Sequence, residues 1–237
     1  SLIKNPLNNI GKPYYFSYNN LKYNERWTRH IRYLNLISLL LNKKKDENLS
    51  LIDIGGAYGL FSGLIKKNYP LNTYAVLDFP EQLFLAYYYL SMNFPNSKIN
   101  LISDVINIDK IDKNFISNYD FTLIPVNCLN KIESNTFDIL TNFNSFGEMS
   151  KENFLDYINS DLFRTIKYFF TVNRLDSFPT YKNDLSIINY PLSEFKPLHF
   201  TISPLYKYIH FRNFFWKTKK IPYSSRCFEF IGERLYK

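Results

Sequence analysis

One segment constrains the fold of this chain more than any other: a short apolar run that ends in a glycine-rich loop and continues as a helical pattern. The apolar run is Leu49–Ile54, and the loop Asp53-Ile-Gly55-Gly56-Ala-Tyr58-Gly59 follows it directly. From Tyr58 to Asn68 apolar residues recur at helical spacing. Glycines let the main chain turn sharply and let a ligand approach it closely. This order predicts the first strand, turn and helix of a doubly wound α/β sheet.

Strand and helix patterns continue to alternate after this unit. The predicted elements are the strand Tyr74–Leu77, the helix Glu81–Asn93 behind Pro80, the strands Ile99–Ile102 and Phe137–Phe143, a helix from the cap Ser150 to about Ile166, and the strand Tyr168–Val172. Prolines interrupt any long helix from Asp176 onward, and the apolar runs Leu198–Ile202 and Cys227–Ile231 are predicted closing strands. Short buried strands separated by helices indicate a Rossmann-like α/β sheet covered on both faces.

The first 48 residues precede this alternating pattern. Residues 1–19 carry loop signals and an aromatic cluster, and an amphipathic helix is predicted from Asn24 to Asn42. Its apolar stripe is Trp27, Ile31, Leu34, Ile37 and Leu41. We therefore divide the chain into an N-terminal extension, 1–48, that covers substrate and cofactor, and a catalytic domain, 49–237.

Composition excludes some classes of protein. No apolar run approaches the roughly 20 residues that cross a bilayer, and the chain opens at Ser1 without a basic and apolar leader, so we expect a cytoplasmic protein without integral membrane contact. Cys128 and Cys227 lack metal-ligand spacing, and no tight cluster of acidic residues and histidines is present, so we predict no metal site. The net charge of +8 favours phosphate-bearing partners without selecting one.

Acidic residues follow the predicted strands and point to the ligand. Asp78 ends the second strand, where it can accept hydrogen bonds from both ribose hydroxyls, or alternatively cap the next helix. Asp104 can bind an adenine amino group beside the apolar Val105, or alternatively cap a turn. The loop has neither the GxGxxG spacing of dinucleotide sites nor the GxxxxGK spacing of kinases. A carboxylate at Asp53 disfavours a pyrophosphate and favours a cationic sulfonium and amino group, as in S-adenosylmethionine.

Several blocks of sequence together resemble a known family. They are Gly11-Lys-Pro13, Leu51 to Gly59, Val76-Leu-Asp-Phe-Pro-Glu81 with Tyr87 to Leu90, Asn144-Ser-Phe-Gly-Glu-Met149 and Val172-Asn-Arg174. In this set the chain resembles class I S-adenosylmethionine-dependent methyltransferases, and among them sugar O-methyltransferases of bacterial surface-polysaccharide clusters. The resemblance implies a seven-stranded sheet with an antiparallel last strand, and a donor lying over the carboxyl ends of the first strands. The residues expected to contact the cofactor are Asp53, Gly55, Gly56, Tyr58, Gly59, Asp78, Phe79, Asp104, Val105 and Asn142.

Methyl transfer to a hydroxyl needs an oxygen held in line with the methyl group and a base for its proton. Glu148 and His30 are the candidate bases. Alternatively, Glu148 favours the start of the next helix and His30 has a structural role. The residues predicted to bind the substrate are Asn144, Tyr14 and Arg174, and Arg174 is expected to hold an anionic group. Asn142 and Asn144 are both predicted to orient the donor or the acceptor by hydrogen bonds.

The leading functional hypothesis is O-methylation of a sugar hydroxyl on a surface polysaccharide or its nucleotide-linked precursor, with S-adenosylhomocysteine as the second product. The expected partner is therefore a small molecule or glycan rather than nucleic acid. An RNA methyltransferase is an alternative that would use the positive charge, although no Asn-Pro-Pro-Tyr-like tetrad is present. A silent cofactor-binding scaffold is the other alternative, because fold alone does not establish activity.

Overall fold

The computed structural model describes residues 10–11, 14–18, 21–44, 46–175, 185–205, 210–214, 217–221 and 227–235. Its strands are β1 (Phe16–Tyr18), β2 (Leu21–Tyr23), β3 (Ser50–Ile54), β4 (Thr73–Asp78), β5 (Phe121–Pro125), β6 (Ile139–Phe143), β7 (Tyr168–Arg174), β8 (Phe195–Ile202), β9 (His210–Phe214), β10 (Lys217–Ile221) and β11 (Cys227–Arg234). Its α-helices are α1 (Glu25–Leu41), α2 (Leu60–Asn68), α3 (Pro80–Asn93), α4 (Ile102–Ile106), α5 (Lys113–Ser117), α6 (Lys151–Asn159) and α7 (Asp161–Thr165). Lys12 and Pro13 of the first sequence block, and Asp176, lie outside the described residues.

A seven-stranded sheet runs in the order β5-β4-β3-β6-β7-β11-β8. The first five of these strands are parallel, and β11 is antiparallel to both of its neighbours. Pro197 lies in the edge strand β8, at the register shift of its pairing with β11, and edge strands and bulges are the positions where sheets tolerate proline. The chain moves outward from β3 in one direction through β4 and β5 and in the other through β6 and β7, so a crevice opens between the ends of β3 and β6. The expected fold class, with its antiparallel last strand, is confirmed.

Helices cover both faces of the sheet. On one face α1, α2 and α3 share a hydrophobic core with the strands, and every residue of the expected α1 stripe is buried there. The helix begins where expected, because the Asn24 side chain accepts a hydrogen bond from the Trp27 N–H at 2.7 Å. The other face is covered by α4 to α7, whose apolar side chains form a second core. Within the described ranges, none of the helices combines the length and apolar composition that a membrane span requires.

The expected third strand, Ile99–Ile102, is wrong. Ile99 makes only an isolated bridge to Phe121, and α4 begins at Ile102. The Asp104 carboxylate accepts the Leu101 N–H at 2.9 Å and so satisfies one of the free donors that starts a helix. The third strand of the parallel sheet, in chain order after β3 and β4, is instead β5, whose five residues are all buried.

The expected helix from Ser150 to Ile166 is broken into α6 and α7. Ser150 caps α6 through the Asn153 N–H, as expected. Ser160 then adopts an extended backbone and caps α7 through the Phe163 N–H at 3.2 Å. A second serine cap therefore ends one helix and begins another inside one continuous helical pattern.

Candidate active site

The glycine loop at the end of β3 packs so tightly that two of its positions exclude any side chain. Gly55 has a φ of +70°, and a Cβ there would lie 2.2 Å from the Ser145 Oγ. A Cβ on Gly56 would lie 2.7 Å from the Asp53 Oδ2. Glycine at these two positions lets the main chain pack closely against Ser145 and Asp53, and both glycines line the cavity beside the loop.

Asp53 provides a buried carboxyl group beneath this loop. It is 2% exposed, and its Oδ1 accepts a hydrogen bond from the Thr141 hydroxyl at 2.6 Å. Burial, opposed by the Thr141 bond and assisted by the neighbouring charge of Asp78, raises the pKa of Asp53 to about 7. The group therefore titrates near neutral pH, and a bound cation would favour its ionised form.

Asp78 connects the loop to the end of β4. Its Oδ2 accepts the Ala57 N–H and its Oδ1 accepts the Phe79 N–H, both at 2.7 Å. Burial raises the pKa of Asp78, while these two bonds oppose the shift. The bond to Phe79 lies directly before α3, which begins at Pro80 without a side-chain cap bond, so the capping alternative for Asp78 is not met. Each carboxylate oxygen keeps a second lone pair, so a contact with a ribose remains a prediction.

A cavity of about 320 Å³ opens beside the loop and brings together several of the expected site residues. The expected residues that line it are His30, Asp53, Gly55, Gly56, Tyr58, Asn144 and Glu148. The other lining residues, which the sequence analysis missed, are Arg26, Arg29, Tyr33, Ala57, Leu60, Phe143 and Ser145. Four lining residues belong to one face of α1: Arg26, Arg29, His30 and Tyr33. The helical spacing of the two arginines relative to His30 is the sequence signal that could have identified them.

His30 projects from α1 into an aromatic surrounding. Its Nδ1 donates a hydrogen bond to the Arg26 carbonyl at 2.7 Å, which leaves Nε2 as an acceptor. The imidazole ring packs edge-on against the Tyr33 ring, and its centroid lies 6.1 Å from the ring centroids of both Phe61 and Phe143. Burial lowers the pKa of His30 to about 3, and the charges of Arg29 and Arg26 also lower it. The imidazole is thus neutral across the physiological range.

Glu148 faces the cavity from the turn after β6. Its Oε1 lies 2.9 Å from the Arg174 Nη2, and the glutamate side chain is 46% exposed whereas the arginine side chain is 9% exposed. Arg174 does not line the cavity, and its guanidinium binds the protein's own Glu148 carboxylate, so a contact with an anionic part of the substrate stays a prediction. Arg174 therefore orients Glu148.

Two buried asparagines shape the loop that carries Glu148. The Asn142 Nδ2 donates to the Ile54 carbonyl and the Ser145 hydroxyl at 2.9 and 2.8 Å, and its Oδ1 accepts the Phe146 N–H and the Asn173 Nδ2 at 3.1 and 2.9 Å. Both donors and both lone pairs are used, so the expected cofactor contact of Asn142 is corrected to a positioning role.

Asn173, which the sequence analysis missed, supports the same loop. Its Oδ1 accepts the Gly147 N–H at 3.3 Å, directly before Glu148. Asn144, by contrast, has a φ of +67° and lines the cavity itself. The two amides at the ends of β6 and β7 thus hold the turn, while Asn144 forms part of the cavity wall.

Eight of the expected site residues do not line this cavity: Gly59, Asp78, Phe79, Asp104, Val105, Asn142, Arg174 and Tyr14. Asp104 caps α4 as its alternative expected, and Val105 is fully buried in the second core, so the expected adenine contact of this pair is corrected. Tyr14 is 92% exposed and does not line the cavity. The misplaced third strand caused the first error, because the strand beside β4 actually ends at Pro125, which is paired with Asp78.

Within the described part of the chain, no three histidine, cysteine or acidic side chains come together in a geometry for a metal ion. The absence of a metal site remains a prediction for the protein.

Comparisons with known proteins place the fold among solved structures. No protein-family model matches the sequence, and no curated protein matches it. TehB from Haemophilus influenzae superposes with a TM-score of 0.52 and 10% identity, over 88% of this chain and 62% of that one. WbdD superposes with a TM-score of 0.51 and 13% identity, over 86% of this chain and 39% of that one. This chain therefore spans less than two thirds of either protein.

A third solved structure matches over its whole length. It is the methyltransferase domain of bacterial CtHen1-CN, with a TM-score of 0.51 and 10% identity, over 89% of this chain and 100% of that domain. At these identities the likeness is one of fold, and fold alone does not assign a substrate. The chain has the Rossmann-like fold that is found in S-adenosylmethionine-dependent methyltransferases.

Proposed function

We propose that this protein binds S-adenosylmethionine at the glycine loop and transfers its methyl group to a hydroxyl oxygen of a sugar. The observation that carries the proposal is the buried Asp53 carboxyl group beneath a loop with no room for side chains at Gly55 and Gly56. An anionic diphosphate against this carboxylate would be repelled, whereas an ammonium or sulfonium group would be attracted.

The adenosine half of the donor fits the ends of β4 and β5. Asp78 has free lone pairs for ribose hydroxyls, and Phe79 presents a 59% exposed ring beside it. Val126 and the exposed Asn127 follow Pro125, the residue paired with Asp78. Asn127 therefore replaces Asp104 as the proposed polar contact of the adenine, because adjacent parallel strands end side by side.

The bound donor would supply a methyl group activated by its positive sulfur. Glu148 is the proposed base: it faces the cavity, Arg174 holds it in place, and it takes the proton as the acceptor oxygen forms its bond to the methyl carbon and the carbon–sulfur bond breaks. His30 is neutral and lines the cavity with Nε2 as its remaining acceptor, but its lowered pKa makes it a weak base. We assign it the role of a hydrogen-bond acceptor that orients the hydroxyl.

The N-terminal extension contributes to the same site. α1 forms one wall of the cavity, so we propose that the extension covers donor and acceptor. The sugar, on a surface polysaccharide or its nucleotide-linked precursor, is proposed from the sequence blocks around Asp78 and Glu148 rather than from the cavity.

The proposal is tested by donor binding and by turnover. Calorimetry should detect binding of S-adenosylhomocysteine and no binding of NAD. The variant Gly55→Val should not bind S-adenosylhomocysteine, because the valine side chain would collide with Ser145. Labelled donor should then be incubated with nucleotide sugars, surface glycans and RNA in parallel. Label on a sugar oxygen supports the proposal. Label on RNA, or binding without turnover on any acceptor, contradicts the sugar-methylation proposal, and binding of NAD in place of the nucleoside contradicts the whole assignment.

A further inference from the structure

One face of α1 presents two guanidinium groups to the cavity. Arg26 and Arg29 are three residues apart, and both line the cavity together with His30 and Tyr33. Residues with this spacing lie on the same side of a helix. The wall of the cavity that α1 forms is therefore positively charged, in contrast to the carboxyl group of Asp53 at the loop.

Each arginine also contacts a neighbouring side chain. The Arg26 guanidinium carbon lies 5.4 Å from the centroid of the Tyr58 ring, which belongs to the glycine loop. Arg29 has a 20% exposed side chain, and its Nε lies 3.8 Å from a carboxylate oxygen of Glu25, whose side chain is 82% exposed. The positive charges of both arginines also contribute to the lowered pKa of His30, after burial.

The cavity thus pairs a carboxyl group on one side with two guanidinium groups on another. A zwitterion with an ammonium and a carboxylate on one carbon atom has the matching arrangement of charge. Arginine is well suited to the carboxylate, because its planar fork binds two carboxylate oxygens at once.

The order of the strands places this cavity at one particular end of the proposed donor. Asp78, the proposed ribose contact, lies at the end of β4, and the cavity lies at the ends of β3 and β6, the next strands along the sheet. Neighbouring strands are about 4.8 Å apart. A nucleoside held at Asp78 and extended across β3 therefore brings its 5′ substituent, the amino-acid end, into the cavity.

We propose that Arg26 and Arg29 bind the α-carboxylate of the donor's amino-acid end, opposite an ammonium group that is bound at Asp53. This assignment rests on the proposed function. It gives α1 a role in selecting an amino-acid-bearing nucleoside over a nucleoside that lacks this group.

The test compares two nucleosides that differ only in the group at issue. S-Adenosylhomocysteine carries the amino-acid end, and 5′-methylthioadenosine lacks it. Calorimetry with the full chain should compare the wild type, the double variant Arg26→Ala/Arg29→Ala, and Arg164→Ala. Arg164 is an exposed residue of α7 that does not line the cavity, so its variant removes one positive charge at another place.

We expect the double variant to lose about ten- to a hundredfold in affinity for S-adenosylhomocysteine, since charge-assisted hydrogen bonds are lost, and to keep its affinity for 5′-methylthioadenosine. Arg164→Ala should change neither. An unchanged ratio of the two affinities in the double variant would overturn the assignment, whether both affinities stay or both fall. If the wild type binds neither nucleoside, the proposed function itself fails, so the two failures are distinguishable.

Discussion

Donor binding should depend on pH through the ionisation of Asp53. The group has a raised pKa of about 7, so the fraction that is ionised decreases from about 0.8 at pH 7.5 to about 0.03 at pH 5.5. Only the ionised form attracts an ammonium group, so the apparent affinity should fall about 25-fold over this range, or about 2 kcal/mol. The ligand's own amino group, with a pKa of about 7.7 to 8.0, stays mostly protonated throughout.

Calorimetric titration of S-adenosylhomocysteine at several pH values measures this effect. Asp53→Asn should bind more weakly at pH 7.5 and lose most of the pH dependence, whereas Glu148→Gln should keep the wild-type slope. Binding to the wild type below pH 7 should also release a proton, which buffers of different ionisation enthalpy reveal. A flat wild-type profile, or an equal slope in Asp53→Asn, would refute the reasoning.

The same ionisation should destabilise the free protein. The pKa of Asp53 is raised from 3.8 to about 7, so the unfolded chain ionises first and this group's contribution becomes increasingly unfavourable from about pH 4 to about pH 7. Asp53→Asn should therefore raise the free energy of unfolding by about 2 to 4 kcal/mol at pH 8, and should change it little at pH 4. Urea unfolding at both pH values measures the difference, and a gain that is equal at both would refute this origin.

Further predictions concern the loop, the N-terminal helix and the base. Gly55→Ala should abolish nucleoside binding in calorimetry, because the new Cβ collides with Ser145 and the φ of this position is unfavourable for alanine. Gly11 also has a positive φ, +83°, but open space around it. Gly11→Ala should therefore lower the free energy of unfolding in urea by only about 1 to 2 kcal/mol and leave binding unchanged. Arg32→Ala should destabilise the fold by about 3 to 5 kcal/mol, because Arg32 binds the fully buried Glu229 through two bonds of 2.6 Å; unchanged unfolding would contradict this. Glu148→Gln should keep donor affinity and lower turnover about 10²- to 10⁴-fold in the labelled-donor assay, and wild-type turnover would assign the base elsewhere.

The accuracy of the element predictions depended on how local the deciding contacts are. The strand, loop and helix around Gly55 could be predicted, because glycine placement and apolar periodicity are properties of the segment itself. The third strand could not be placed correctly. Ile99–Ile102 and Phe121–Pro125 are both short apolar runs, and only pairing with β4 distinguishes them.

The site shows the same division. The order of the elements, and the positions of Asp53 and Asp78 at the ends of strands, follow from the sequence alone. The near-neutral pKa of Asp53 is a result of tertiary structure, because it depends on burial and on Thr141, 88 residues away.

The sequence by itself determined an alternating α/β chain, a glycine loop and a set of carboxylates at strand ends, because these depend on neighbours a few residues apart. Tertiary structure alone decided that Arg29 shares a cavity with that loop, that Arg174 binds Glu148, and that Asn142 has no bond left for a ligand. Side-chain partners in a sheet crevice come from segments far apart in the chain, and only packing of the helices and strands brings them within bonding distance.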